Sequence, residues 1–349
     1  MIKRWRLTAL LLLVFSMPAW SWQVGWKMTE VDEANPDRPL QVALWYPTTE
    51  SSSEAELIGD NTAFNGVYAI KSASPIAQTP KPLVLLSHGY RGNWRNMSWL
   101  AARLAEAGYL VAAPNHPGTT TFNTDPVAAS QWYERPRDLS RIIDKLTANP
   151  EIAGAVDLNR IAAIGHSLGG WTVMNIAGAT TDIHHLVEKC RDIRLKRGCS
   201  ITRELGLTVT GDTNVQHQGL NVHDTRISAV VSLDLGLAHS FLPATLKKIT
   251  TPVLIIAAGT DTIGLPYSLE SGYLAKNLPI SPGDYQVYQQ ASHFSFIQRC
   301  KPSAQQLIEA ESPGDGIVCV DGTKKTREQL HATFTKRIMT FLEENFTAI

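Results

Sequence analysis

The sequence predicts an α/β fold with a mostly parallel central sheet, helices on both of its faces and an inserted helical cap. From residue 81 onward, apolar runs of strand length alternate with segments whose apolar residues recur at helical spacing. Turn residues separate most of these runs, which is typical of βαβ units. The chain has 349 residues, 44% of them apolar and 18% charged, which is enough to form one substantial core.

Six runs in this part of the chain have the length and composition of buried strands. They are PLVLLSHG (82–89), YLVAAPNH (109–116), RIAAIGHS (160–167), ISAVVSLD (227–234), PVLIIAAGTD (252–261) and YQVYQQASH (285–293). Between the first two, residues 96–109 have helical periodicity and contain Gly108, which can end a helix. Residues 22–80 predict an entry layer in which LQVALWYP (40–47) is rich in β-forming residues.

Two connections are longer than the short loops of βαβ units. The first, about residues 178–225, separates the helix that begins near Ser167 from the strand ISAVVSLD. Loops of this length usually have a function, so we expect a cap over the active site. The second covers roughly residues 299–326. We predict a single domain over 22–349 that contains both insertions.

The N-terminus has the pattern of an export signal. Basic residues are followed by an apolar run and then by small residues, which predicts a signal peptide over 1–21. The alternative is a membrane anchor, but the run is shorter than the ~20 residues that a spanning helix needs. We therefore expect a periplasmic or secreted protein with no stable anchor after cleavage. The rest of the chain is mildly acidic, so no nucleic-acid partner is expected.

The four cysteines fit an exported protein, because they form two close pairs along the chain. We predict the disulfides Cys190–Cys199 and Cys300–Cys319. A zinc site is disfavoured because no CxxC spacing occurs.

The segment GHSLG (165–169) has the form G-x-S-x-G of a nucleophile elbow. It directly follows an apolar strand and opens a helix, which is the context that such an elbow requires. Glycines on both sides let strand and helix approach closely, so that the serine side chain can project from a strained turn. We therefore predict that Ser167 is a catalytic nucleophile.

A serine hydroxyl needs a base, and that base needs a carboxylate to orient it. His293 follows the last predicted strand and is the best placed of the ten histidines. For the acid two residues compete, because Asp234 and Asp261 each end a predicted parallel strand between the serine and the histidine. We favour Asp261, whose strand commonly supplies this residue, and keep Asp234 as the alternative.

Acyl transfer also needs hydrogen-bond donors for the developing oxyanion. One donor should be the backbone N–H of Leu168, the residue after the nucleophile. The loop HGYRG (88–92) follows the strand PLVLLS, so the backbone N–H of Tyr90 is the candidate for the second donor.

Several motifs together resemble a known family. The HGY loop, NHPG (115–118), RPRD (135–138), the elbow and ASHF (291–294) look like bacterial relatives of platelet-activating-factor acetylhydrolase and predicted dienelactone hydrolases. The resemblance covers roughly residues 80–300. It implies an α/β-hydrolase fold and a carboxylic-ester hydrolase that works without cofactor or metal. In the acetylhydrolase branch the acid comes from the strand that matches ISAVVSLD, which favours Asp234; dienelactone hydrolases use the position of Asp261.

We therefore predict a serine-dependent carboxylic-ester hydrolase that acts through an acyl-enzyme on small esters, whether short-chain, lipid-derived or lactone-like. Dienelactone hydrolases have a cysteine nucleophile where this chain has Ser167, so lactone hydrolysis does not follow from the resemblance. The alternatives are an amidase, peptidase or acyltransferase of the same fold, and a catalytically silent binding protein.

Overall fold

A computed structural model describes residues 21–32, 35–77, 79–207 and 219–346. The predicted signal peptide lies almost wholly outside these residues. In the described ranges, none of the helices is both long and apolar enough to cross a bilayer.

Ten strands are found in the described residues. They are β1 Gln23–Val31, β2 Leu40–Thr48, β3 Glu56–Ile58, β4 Val67–Lys71, β5 Lys81–Ser87, β6 Leu110–Pro114, β7 Val156–His166, β8 Ala229–Leu233, β9 Val253–Thr260 and β10 Tyr285–Ser292. The same described ranges contain ten α-helices: α1 Ser98–Glu106, α2 Pro126–Ser130, α3 Glu134–Ala148, α4 Leu168–Ile176, α5 Ile183–Lys189, α6 Lys196–Glu204, α7 Pro243–Leu246, α8 Ser271–Asn277, α9 Ala304–Glu311 and α10 Arg327–Phe346.

The strands form one sheet in the order β10-β9-β8-β7-β5-β6-β2-β1-β4-β3. The six strands from β10 to β6 are parallel, whereas β2 is antiparallel to both β6 and β1. All six apolar runs of the sequence form strands at this parallel centre, so the predicted α/β class is confirmed. The N-terminal entry layer contains three strands besides β2, namely β1, β3 and β4.

The core lies on both faces of the sheet because side chains alternate along each strand. On β5, Leu83 and Leu85 face one layer with α3 and α4, whereas Val84 and Leu86 face the other with α1 and α10. Parallel strands covered on both faces are apolar at nearly every position, which explains the continuous runs in the sequence.

Both insertions contain the predicted disulfides. In the described part of residues 178–225, α5 and α6 are joined by Cys190–Cys199. The second insertion contains α9 and the bond Cys300–Cys319.

Candidate active site

Ser167 occupies the turn between β7 and α4. Its φ of 57° lies in the left-handed region that non-glycine residues seldom adopt. A Cβ at Gly165 would overlap the Gly169 carbonyl, and one at Gly169 would overlap the Ser87 carbonyl. The two glycines of the motif are therefore required by the close approach of β7, α4 and β5, as the sequence predicted.

The side chain of His293 is paired with Asp234. His293 Nδ1 lies 2.7 Å from Asp234 Oδ2, and both residues are buried. The other carboxylate oxygen, Oδ1, accepts the backbone N–H of Ala258 at 2.8 Å. Since a carboxylate accepts hydrogen bonds, the Nδ1 atom carries the proton and Nε2 is left with the lone pair of a base.

The preference for Asp261 as the partner of His293 is wrong for this structure. Asp261 is exposed, and its Oδ1 accepts the backbone N–H groups of Ile263, Gly264 and Leu265 at 3.1, 2.8 and 2.9 Å. Its side chain therefore closes the loop after β9. Asp234 was the alternative, and its φ of 43° turns the chain sharply at the end of β8.

Ser167 lies beside this pair through backbone contacts. Its N–H donates to the carbonyl of Leu233, the residue before Asp234, at 3.0 Å. The neighbouring His166 donates from Nε2 to the carbonyl of His293 at 2.8 Å, and the two imidazole rings are 4.7 Å apart between centroids. The structure describes no hydrogen bond from Ser167 Oγ itself; nucleophile–base contacts are often long before substrate binds.

The loop of His88–Gly92 lies against Ser167. A Cβ at Gly89 would lie 3.1 Å from Ser167 Cβ, so glycine lets this loop approach. The Gly89 carbonyl accepts from Gly92 N–H at 3.0 Å and from His88 Nδ1 at 2.7 Å. The N–H of Tyr90 belongs to the same trans peptide and points the opposite way.

The two predicted oxyanion donors have no competing acceptor. Among the described residues, neither the Tyr90 N–H nor the Leu168 N–H donates a hydrogen bond. Leu168 is the first residue of α4, where backbone N–H groups have no partner within the helix and the helix dipole favours negative charge.

A buried polar network behind this loop was not predicted as a unit. His88 Nε2 accepts the backbone N–H of His116 at 3.0 Å, which fixes its proton on Nδ1. His116 in turn contacts Ser87 Oγ at 3.0 Å and Asp138 at 2.9 Å, and Arg135 donates to the His88 carbonyl. Burial is the main cause that lowers the pKa of both histidines well below the usual value, so they are neutral. The motifs NHPG and RPRD were the sequence signals for this network.

The second insertion braces the histidine loop. Ser292 Oγ donates to the Val320 carbonyl, and Ser295 Oγ donates to Asp321 Oδ1 at 2.7 Å. Arg327, which is buried, binds the same carboxylate oxygen at 3.0 Å. The residues on both sides of His293 are thus attached to Val320 and Asp321, which directly follow the bonded Cys319.

Helix α6 of the first insertion lies near the carboxyl edge of the sheet. A Cβ at Gly198 would lie 3.3 Å from Glu270 Oε1. A Cβ at Gly206, just after α6, would lie 3.2 Å from the carbonyl oxygen of Pro126. These contacts are consistent with a cap, whose role over the site stays a prediction.

The fold is that of the α/β-hydrolases. A solved structure of a ferulic acid esterase from Streptomyces cinnamoneus matches with a TM-score of 0.60 and 20% identity, over 95% of this chain and 92% of that chain. At this level of identity the match shows the fold alone.

The sequence comparisons cover shorter segments. The family model described as serine aminopeptidase, S33, matches residues 78–188, which include Ser167 but neither Asp234 nor His293. Cutinase est1 from Thermobifida alba is 28% identical over 120 residues, 32% of this chain and 38% of that protein. A bis(hydroxyethyl) terephthalate hydrolase from Streptomyces coelicolor is 30% identical over 94 residues, 27% of each protein. The chain thus spans well under half of the curated relatives that it matches.

Proposed function

We propose that this protein is an exported serine hydrolase of carboxylic esters. The observation that carries the proposal is the arrangement of Ser167 on the strained elbow beside the bonded pair His293–Asp234. The matches to a cutinase and to a bis(hydroxyethyl) terephthalate hydrolase support an ester as the substrate class.

In this mechanism His293 Nε2 takes the proton from Ser167 Oγ as the oxygen attacks the ester carbonyl carbon. The N–H groups of Leu168 and Tyr90 donate to the carbonyl oxygen as it becomes negative. The protonated His293 then gives its proton to the leaving alcohol, and an acyl-serine remains. A water molecule, deprotonated by the same nitrogen, releases the acid and restores the serine.

Asp234 holds His293 in the tautomer that this sequence of steps needs. Its Oδ2 accepts the Nδ1 proton and stabilises the imidazolium that forms during attack. An acid directly after β8 is the position implied by the resemblance to acetylhydrolases. That resemblance, and not the triad itself, is the reason to propose small ester groups, short-chain or lipid-derived, as substrates. Two disulfides support export to the periplasm or the medium.

The test is hydrolysis of p-nitrophenyl esters from acetyl to palmitoyl, together with labelling by a fluorophosphonate, which reacts with activated serines. Wild type should hydrolyse the shorter esters and be labelled, and Ser167→Ala should do neither. Ser303→Ala is the matched control, since Ser303 is exposed and makes no capping bond. An unlabelled wild type, inactive on every ester, would leave only a silent binding protein.

A peptidase is the second candidate, because the matching family model is named for a serine aminopeptidase. In addition, this chain is 31% identical over 83 residues to a dipeptidyl-peptidase 5 from Porphyromonas gingivalis. The triad itself does not choose the leaving group. Cleavage of aminoacyl or dipeptidyl p-nitroanilides faster than of acetyl and butyryl esters would favour it over the esterase.

A further inference from the structure

A second buried carboxyl group, that of Glu270, lies beside the triad acid. Glu270 precedes α8, where a side chain often caps its own helix, but it makes no such bond. Its Oε2 instead accepts the backbone N–H of Ala238 at 2.7 Å, across the loop that follows Asp234. Only 3% of Glu270 is exposed.

The other oxygen of Glu270 faces the first insertion. A Cβ at Gly198 on α6 would lie 3.3 Å from Oε1, so glycine at this position lets the helix lie over the carboxyl group. Cys199, the next residue, is joined to Cys190. Glu270 therefore contacts both the acid loop and the helix of the predicted cap.

No cation balances this carboxyl group within the described residues. Arg197, the cation next to Gly198, pairs with Glu204 at 3.1 Å. Glu270 Oε1 accepts no hydrogen bond from a residue in the described ranges. His239 and Tyr273, on the flanking elements, pack against each other with ring centroids 4.2 Å apart and the ring planes tilted by 40°.

The charged group whose field acts on Glu270 is the carboxylate of Asp234. Burial raises the pKa of Glu270 to about 7, and the negative charge of Asp234 adds to the increase. The side chain therefore changes charge near neutral pH.

We propose that Glu270 is a positioning residue for the triad, holding the loop from Asp234 to Ala238 beneath α6 and, when ionised, stabilising the imidazolium of His293 through Asp234. This inference rests on the proposed hydrolase function. A negative charge behind Asp234 strengthens its attraction for the proton on Nδ1, and this matters most in the transition state, where His293 is cationic.

The ionised form is consequently the faster enzyme. Below pH 6, Glu270 is neutral and should act only through its bond to Ala238. Above pH 8 it is charged, and replacing it by glutamine should remove the stabilisation. Glutamine has the shape of the neutral acid and can still accept the Ala238 N–H, so the loop contact is kept.

The experiment measures the second-order rate of fluorophosphonate labelling of Ser167 between pH 5.5 and 9, for wild type, Glu270→Gln and Glu309→Gln. Glu309 is the matched control, because it also accepts backbone N–H groups, those of Gly314 and Gly316, but lies in the second insertion. The ratio of wild type to Glu270→Gln should rise from about 1 to about tenfold across pH 7, the size expected for one charge in a partly buried site.

Every outcome of this experiment supports or refutes the electrostatic role of Glu270. A ratio that stays constant with pH, whatever its value, would mean that Glu270 only supports the loop, and the electrostatic role would be refuted. Glu309→Gln should give a constant ratio near 1. Glu270→Asp, which keeps an ionisable group, should be labelled faster than Glu270→Gln by a factor that rises with pH. If wild-type Ser167 is not labelled at all, the proposed hydrolase function fails, and this inference fails with it.

Discussion

Replacing Asp234 by asparagine should inactivate the enzyme because one side-chain oxygen cannot serve two donors. Asp234 accepts from Ala258 N–H at 2.8 Å and from His293 Nδ1 at 2.7 Å. Asparagine has one oxygen and one NH₂ group. If its oxygen keeps the Ala258 bond, the NH₂ group faces Nδ1 and forces the histidine proton onto Nε2, where the base should be.

The expected loss in kcat is about 10⁴-fold, as in other triads whose acid becomes an amide. This corresponds to about 5 kcal/mol of transition-state stabilisation. Initial rates on p-nitrophenyl acetate and butyrate measure it, with the far-UV circular dichroism of each variant showing that the fold is kept.

Asp261→Asn provides the matched comparison. A single oxygen, Oδ1, accepts the three N–H groups of the loop after β9, and the oxygen of asparagine can accept the same three. We expect kcat within about twofold of wild type, in the range of a surface substitution that keeps its contacts. The assignment would be refuted if Asp261→Asn lost activity, or if Asp234→Asn kept more than a tenth of it.

Three further predictions concern stability. Replacing both Cys300 and Cys319 by serine should lower the free energy of unfolding by about 3 kcal/mol, because the bond closes a loop with a sequence separation of 19. It should also lower kcat, because Asp321, two residues after Cys319, braces the loop of His293. Urea unfolding measures the first effect and esterase rates the second, and unchanged rates would exclude the bracing. Asp138→Asn should lower the free energy of unfolding, measured by urea unfolding, by about 3–5 kcal/mol. The substitution removes the charge of the buried partner of Arg38, bonded at 2.9 Å, and a decrease under about 1 kcal/mol would contradict this. For Glu270 the pKa is 4.5 in the open chain and about 7 in the fold, so between these values the folded protein binds more protons, and its free energy of unfolding should fall as the pH rises through this window. Glu270→Gln should lack this component of the pH dependence, and parallel curves for the two proteins would contradict it.

The parallel centre of the sheet could be read from sequence because burial on two faces leaves a simple signal. β8 is AVVSL and β9 is VLIIAAGT, and both match continuous apolar runs. The outer strands lack that signal: β3 has three residues, two of them exposed. Elements at a solvated edge have no periodicity strong enough to distinguish them from loops.

The strained turn at Ser167 was predictable for a different reason. The elbow needs glycines at fixed offsets, so the steric constraint is written in consecutive residues. The two disulfides were predictable because both bonds join the nearest cysteines along the chain.

The aspartate that pairs with His293 was not encoded in this way. Asp234 and Asp261 both follow parallel strands and end at the same edge of the sheet. They differ in where the chain turns next: the φ of 43° at Asp234 directs its carboxylate toward the site, whereas Asp261 folds back onto its own loop. β10 pairs with β9, and a register shift before Ser292 carries His293 beyond that neighbour to the end of β8. A shift of this kind depends on tertiary packing and has no local sequence signal.

The position of His293 gives the second insertion a structural role. β10 is an edge strand of the sheet, so no further strand among the described residues supports the histidine on its outer side. Hydrogen bonds from Ser292 and Ser295 to residues 320 and 321 take that place. Because these two residues directly follow Cys319, the bond Cys300–Cys319 holds their position. If the cysteine double variant loses activity as expected, the predicted export to an oxidising compartment would be connected to the chemistry of the site.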